Sequence, residues 1–325
     1  MSLSHARELL ETRQVPVYFA AVAAAVLLAW RVPGTASLAP LIDPLLGFML
    51  FVTFLQVPLT ELRQALSNLR FLGALLTANF VLVPALVFAL LPWLPADPLP
   101  RIGVLLVLLT PCIDYVVTFA YLGRSDTRPL LAAMPVLLAM QMLLLPVFLG
   151  LFLGDAGKGL VHWPPFLHAF LYLIAVPLAL AAACQAWAAR PGGGRSAVAA
   201  LGLLPVPATA VVLFVVVAAV MPQLGRAADA ALAVAPLYVV FAAAAPLLGW
   251  CCARLWGLPA EQGRAVAFSS ATRNSLVVLP LGLAIPGAVP WVPAVIVAQT
   301  LVELVSELVY VKVMPRLGAA ARSSP

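Results

Sequence analysis

The chain has 325 residues, 64% of them apolar and only 9% charged, and its mean hydropathy is +1.09. No soluble domain of this length hides so much apolar surface, because too little polar area remains to cover it. The formal net charge of +6 would suggest nucleic acid as a partner in a soluble protein. Here the positions of the charges follow a membrane, so a lipid bilayer is the expected partner and nucleic acid is not.

A membrane-spanning helix takes about 20 mostly apolar residues. Ten such stretches follow one another, near 16–32, 37–57, 70–92, 102–122, 129–153, 165–188, 197–220, 231–253, 264–285 and 291–313. Before the first lie Arg7, Glu8, Glu11 and Arg13, with no signal-peptide pattern. Residues 1–15 therefore read as a short cytoplasmic segment, with the first span retained and no soluble domain attached. The polar, glycine-bearing run from Gly154 to Gly159 divides the spans five and five, giving repeats at 16–155 and 162–315 and a cytoplasmic tail at 316–325. With the N-terminus inside, 13 Lys and Arg fall in cytoplasmic segments, 4 fall outside, and Arg273 remains within the membrane. The positive-inside rule then puts both termini in the cytoplasm and requires an even number of spans. Five spans per half insert with opposite orientation, the geometry of inverted repeats whose discontinuous helices meet near the midplane. The expected fold is an all-α polytopic membrane protein, ten transmembrane helices in two inverted five-helix repeats.

Cys112, Cys184, Cys251 and Cys252 form no CxxC or other metal-ligand spacing, which argues against a disulfide framework or a structural zinc. No Walker loop, nucleotide fingerprint or catalytic-triad pattern is present, so neither an enzyme nor an ATP-driven pump is supported, and no cofactor is implied.

The fourth and ninth spans carry the chemistry. Each reads as a proline-marked interruption holding a charge: Pro111-Cys112-Ile113-Asp114 and Thr272-Arg273-Asn274. A charge at mid-bilayer costs roughly 2.5–3.5 kcal/mol on insertion scales, and such residues mostly face a protein interior or a watery cavity. Asp114 fits a proton carrier, a counter-ion for Arg273 or part of a cation site. Arg273 fits a partner for Asp114, a grip on an anion, or a fixed charge where another transporter binds a metal cation. Asn274 offers a donor and an acceptor, and Ser269-Ser270-Ala271-Thr272 supplies hydroxyls. Cys112 is the soft group, suited to trivalent arsenic or antimony, though a membrane cysteine also serves as a small packing residue. Glu303 and Glu307 lie one turn apart on one face of the tenth span. Glu303 is the better candidate, because Glu307 is near Lys312 and is expected to snorkel to the interface. Gln56, Asn79, Gln141 and Gln299 suit interhelical hydrogen bonds, with Asn79 and Gln299 as secondary site candidates. His162 and His168 look incidental.

These residues resemble a known family. Thr110 to Val116, continuing through Tyr121-Leu122-Gly123-Arg124-Ser125-Asp126, resembles the fourth-helix signature of the arsenite efflux permeases, where Pro-Cys precedes Thr-Ala-Met-Val and a polar end closing on Asp. Asn79-Phe80-Val81-Leu82-Val83-Pro84 resembles their third-helix pattern, Arg273-Asn274 their ninth-helix start, and Leu301-Val302-Glu303 their last helix. The resemblance covers most of residues 40–315 and implies the bile acid:sodium symporter-like superfamily, with a panel and a core domain and crossing broken helices. Three departures stand out: Val277 replaces a glutamate of the arsenite permeases, and Ile113 and Asp114 replace their Thr and Ala. Relative to the sodium-coupled relatives, Ser269 and Arg273 stand where those carry Glu and Gln, and Val116 and Val117 where they carry Ser-Asn, which argues against their sodium site.

The resemblance implies Cys112 as the arsenic(III) contact. The expected function is a secondary transporter exporting arsenite, and antimonite too, across a bacterial-type inner membrane by proton exchange. Asp114 is the expected proton-responsive acid, Arg273 its partner, and Asn274 and Glu303 supporting polar groups. The alternatives are a proton- or sodium-coupled carrier of small organic anions, with Arg273 gripping a carboxylate, and a non-transporting membrane sensor. Monomer and homodimer are both compatible with the sequence.

Overall fold

A computed structural model describes residues 3–56, 68–113, 115–154, 170–190, 192–283, 285 and 287–318. Asp114, His162, His168 and most of the Gly154–Gly159 run lie outside the described residues. Among the described residues the chain is helical without a strand; the only bridge of β type is an isolated antiparallel one between Pro111 and Arg273.

In chain order the helices are α1 (Leu3–Arg31), α2 (Ile42–Phe54), α3 (Leu69–Thr77), α4 (Val83–Leu90), α5 (Pro98–Leu108), α6 (Val116–Leu122), α7 (Arg128–Leu153), α8 (Val176–Ala188), α9 (Arg195–Leu201), α10 (Pro205–Leu255), α11 (Ala260–Ala271), α12 (Ser275–Leu283) and α13 (Trp291–Val313). Among the described residues, seven segments are long and apolar enough to cross a membrane: Arg13–Arg31, Thr35–Phe54, Leu69–Trp93, Arg128–Leu153, Pro205–Pro222, Ala227–Leu255 and Trp291–Arg316. The chain is a multi-pass membrane protein. The expected fourth and ninth spans are each divided into two short helices, α5 with α6 and α11 with α12. The expected sixth span is described from residue 170 onward.

The two interruptions have different causes. Pro111 lacks an amide hydrogen, and before it the helix tightens, with Thr110 N–H reaching the Val107 carbonyl at 3.4 Å. The ninth-span break has no proline in it, contrary to the expectation. Thr272 is simply extended, at φ −90° and ψ 128°. The Thr272 carbonyl and Asn274 N–H are satisfied by the other break, and the Arg273 N–H by Glu303.

The chain divides into two compact units. The first holds residues 1–59, 162–231 and 276–297. In it α2 lies against α8, and the Gln185 amide donates to the Phe54 and Leu55 carbonyls at 3.2 and 3.3 Å. These carbonyls close a helix end and have no partner within it. Gln56 donates to the Gly202 carbonyl at 3.3 Å in the same way.

The second unit holds residues 60–161, 232–275 and 298–325. Its helices approach closely through small residues, as membrane helices do: a Cβ on Gly249 would run into the Ser270 side chain, and one on Gly123 into the Phe268 ring. At one end of the unit Arg264, 6% exposed, acts as a clamp. Its Nη2 and Nε donate to the Arg124 carbonyl at 2.7 and 3.0 Å, and its Nη1 to the Leu317 carbonyl at 3.0 Å. Arg264→Ala is expected to cost about 2–3 kcal/mol, the worth of hydrogen bonds from a charged donor. The check is the thermal midpoint of the purified protein, which should fall; an unchanged midpoint would mean the clamp is dispensable.

Candidate functional site

The site lies within the second unit, where the two breaks meet. The Cys112 N–H donates to the Thr272 carbonyl at 3.0 Å, and the Asn274 N–H to the Thr110 carbonyl at 2.9 Å. Lipid cannot satisfy unwound backbone, so such segments persist only when buried in protein or lining a cavity. Here each break satisfies the other, and Cys112, Thr272 and Arg273 are all fully buried.

Arg273 is the hub. Its Nη2 donates to Asn79 Oδ1 at 2.9 Å and to the Ser269 carbonyl at 2.5 Å, its Nη1 to the Leu108 carbonyl at 3.4 Å, and its Nε is without a partner. The guanidinium also lies 5.6 Å from the Phe241 ring centre, a cation–π contact. Asn79 is placed by a π-helical turn over Ala78–Leu82. Pro84 follows, whose missing amide perturbs the helical ladder there, and such π-turns frequently occur at functional sites. The Asn79 amide donates onward to Ser269 Oγ at 3.0 Å and to the Leu75 carbonyl at 3.1 Å.

Helix α13 supplies the acids. Glu303 accepts from the Tyr115 hydroxyl at 2.5 Å, the Arg273 backbone N–H at 2.6 Å and Gln299 Nε2 at 2.6 Å. Ser275 Oγ donates to Gln299 Oε1. Glu303 and Gln299 border a small cavity with Leu108, Phe241, Ala271 and Tyr310. Glu307 does not snorkel: it is fully buried, while Lys312 is exposed. Its Oε1 meets Thr272 Oγ1 at 2.5 Å, and its Oε2 has no partner. The shared helical face explains this, because burying Glu303 carries Glu307 inward with it.

Asn274 lies beside Gln141 of α7, with Nδ2 donating to Oε1 at 3.5 Å. Asn274 Oδ1 and Gln141 Nε2, both buried, are left without partners. Reversing both amides leaves the same result, one free donor and one free acceptor.

The structure thus brings Pro111, Cys112, Thr272, Arg273, Asn274, Asn79, Gln299 and Glu303 into one constellation, while Asp114 is outside the described residues. Sequence reasoning missed Tyr115, directly after the fourth break, and set Glu307 aside as an interfacial residue; Gln141 makes the interhelical hydrogen bond expected of it. Phe241 carried no signal at all.

A buried, charged centre built from two interrupted helices is a feature of secondary carriers rather than of simple helical anchors. The chain belongs to the sodium bile acid symporter family, whose family model matches residues 43–227, more than half of its length. It is a membrane transporter of the bile acid:sodium symporter type. The matched stretch includes Asn79, Cys112 and Gln141 and ends before Arg273 and Glu303. No curated protein matches the chain.

Proposed function

We propose that this transporter exports trivalent arsenic, and antimony in the same oxidation state, across a bacterial-type inner membrane in exchange for protons. The observation that carries the reading is Cys112, a thiol buried where the two breaks hydrogen-bond to each other. Thiolate and thioether groups favour soft ions. Arsenous acid is a neutral trihydroxide near neutral pH, and each hydroxyl both donates and accepts. The unpartnered Asn274 Oδ1 and Gln141 Nε2 suit such a group. Ten spans in two inverted repeats, 16–155 and 162–315, with both termini cytoplasmic, complete the proposal. Asp114 is the proposed proton-responsive acid, Arg273 its partner, and Asn274 and Glu303 the supporting polar groups.

The rival cargo, a small organic anion, rests on one guanidinium donor, the unpartnered Arg273 Nε. The other donors with partners go to Asn79, Ser269 and Leu108. A fixed guanidinium in the centre also disfavours a sodium ion at that position.

The test is arsenite uptake into everted vesicles, with and without an imposed proton gradient. Wild type is expected to accumulate arsenite under the gradient, and Cys112→Ser to lose about tenfold or more, the scale of one lost transition-state or binding interaction. Equal uptake by the serine variant would remove the thiol from the site. Absence of uptake in wild type under any gradient would favour the organic anion.

A further inference from the structure

We propose that Glu307 is a proton-binding site whose occupancy sets the hydrogen bonding of the ninth-helix break through Thr272. Its place in the transport cycle rests on the proton exchange proposed above; the site itself does not.

Thr272 Oγ1 lies 2.8 Å from the Phe268 carbonyl and 2.5 Å from Glu307 Oε1. A hydroxyl carries one hydrogen, so it serves only one of these acceptors at a time. If it goes to Phe268, the contact with Glu307 needs a hydrogen from the acid. The remaining oxygen, Glu307 Oε2, is fully buried and has no partner at all. Glu303, one turn earlier, is the contrast: three donors converge on its two oxygens, the setting of an acceptor-only carboxylate. The same helix thus holds two buried acids in opposite hydrogen-bonding environments.

With a proton, Glu307 donates to Thr272 Oγ1, and Thr272 donates to the Phe268 carbonyl, so that each hydrogen has an acceptor. Without it, the Thr272 hydrogen turns to Glu307, and the Phe268 carbonyl keeps only the Thr272 N–H at 2.9 Å. The Thr272 carbonyl in turn holds the Cys112 N–H. Proton occupancy at Glu307 is therefore relayed, by one residue, to the backbone pairing at the crossing. Among the described residues, the titratable groups that interact with Glu307 are Glu303 and Tyr310 on its own helix; Arg273 at the break acts on both of these, and Tyr115 donates to Glu303. Tyr310 is held by the Ala242 carbonyl at 2.5 Å, and Lys312 is exposed. Loss of the proton leaves two carboxylates a turn apart on one helix face, so a cargo that shifts the break at Thr272 also shifts the proton affinity of Glu307.

The experiment uses the full chain in liposomes and the variant Glu307→Gln, whose amide can donate to Thr272 Oγ1 as the acid does. Infrared difference spectra are recorded as pH is stepped, with no cargo present. Wild type should show protonated-carboxyl absorption that falls as pH rises; Glu307→Gln should lose one band of it, while Asp114→Asn and Glu303→Gln keep that band. In the vesicle assay, gradient-driven arsenite uptake by Glu307→Gln should fall about tenfold or more, within the usual range of a coupling free energy, while arsenite counterflow without a gradient persists. A band unchanged in Glu307→Gln, or no pH-dependent band in wild type, overturns the proposal. A band lost in Glu307→Gln together with a wild type that carries no arsenite leaves the proton site standing and the arsenite reading fallen.

Discussion

Arg273→Lys is expected to lower the thermal midpoint and to cut transport about a hundredfold, although the charge is kept. The guanidinium spans Asn79, Ser269 and Leu108 at once and lies on the Phe241 ring. A lysine ammonium is a compact point charge without the planar fork, so it cannot reproduce that spread of donors. Asn79 Oδ1 and the Ser269 carbonyl both take their hydrogen from Nη2, and losing either leaves a buried acceptor at about 1–3 kcal/mol. A loss near 3 kcal/mol in the active arrangement corresponds to about two powers of ten in rate. Arg273→Ala should be worse, about 3–5 kcal/mol in stability, because the whole buried arrangement of partners is then stranded. Scanning fluorimetry and cargo uptake together provide the check. A lysine variant with a wild-type midpoint would mean that charge alone is required and that the fork is not.

Glu303 and Tyr115 should behave as one unit. Glu303→Gln keeps a single oxygen for three donors. The amide nitrogen fits best opposite Tyr115, whose hydroxyl reverses and accepts, leaving the oxygen for Arg273 N–H and Gln299. The expected cost is about 1–3 kcal/mol, since charge-assisted bonds become neutral ones. Glu303→Ala strands three buried donors and should cost more. Tyr115→Phe alone leaves one carboxylate oxygen short of a partner, and combined with Glu303→Gln it strands an amide hydrogen instead. A double-mutant cycle should therefore show a coupling of about 1 kcal/mol or more. Strict additivity would deny the 2.5 Å bond any energetic role.

The sequence and the structure agree where a local rule was enough. Pro111 announced its break because a missing amide acts whatever surrounds it, and Arg273 announced itself because a charge in lipid is expensive wherever it sits. The ninth break was different. Nothing in Thr272-Arg273-Asn274 forbids a helix, and the interruption exists because another segment, 164 positions earlier from Asn274 to Thr110, supplies backbone partners for the Thr272 carbonyl and the Asn274 N–H. Glu307 was misjudged for a related reason: its nearness to Lys312 in sequence outweighed its shared face with Glu303, and the face proved decisive. Gln141, expected to bond across helices, does so with Asn274, but Phe241 was invisible in role, because an aromatic residue in an apolar helix does not reveal which neighbour it meets. Asn79 came closer, since the proline five positions later hinted at an irregular turn.

The reciprocal clip between the breaks also bears on ownership of the site. One hydrogen bond runs from the first half of the chain to the second, Cys112 to Thr272, and one runs back, Asn274 to Thr110. Neither half can close its own backbone in hydrocarbon, where an unmet amide or carbonyl costs several kcal/mol. The soft sulfur and the fixed cation are therefore bound into a single plate contributed jointly, and a displacement of one break must carry the other along. On the proposed reading, a cargo held at Cys112 and a proton held at Glu307 act on the same residue, Thr272, with no separate messenger between them.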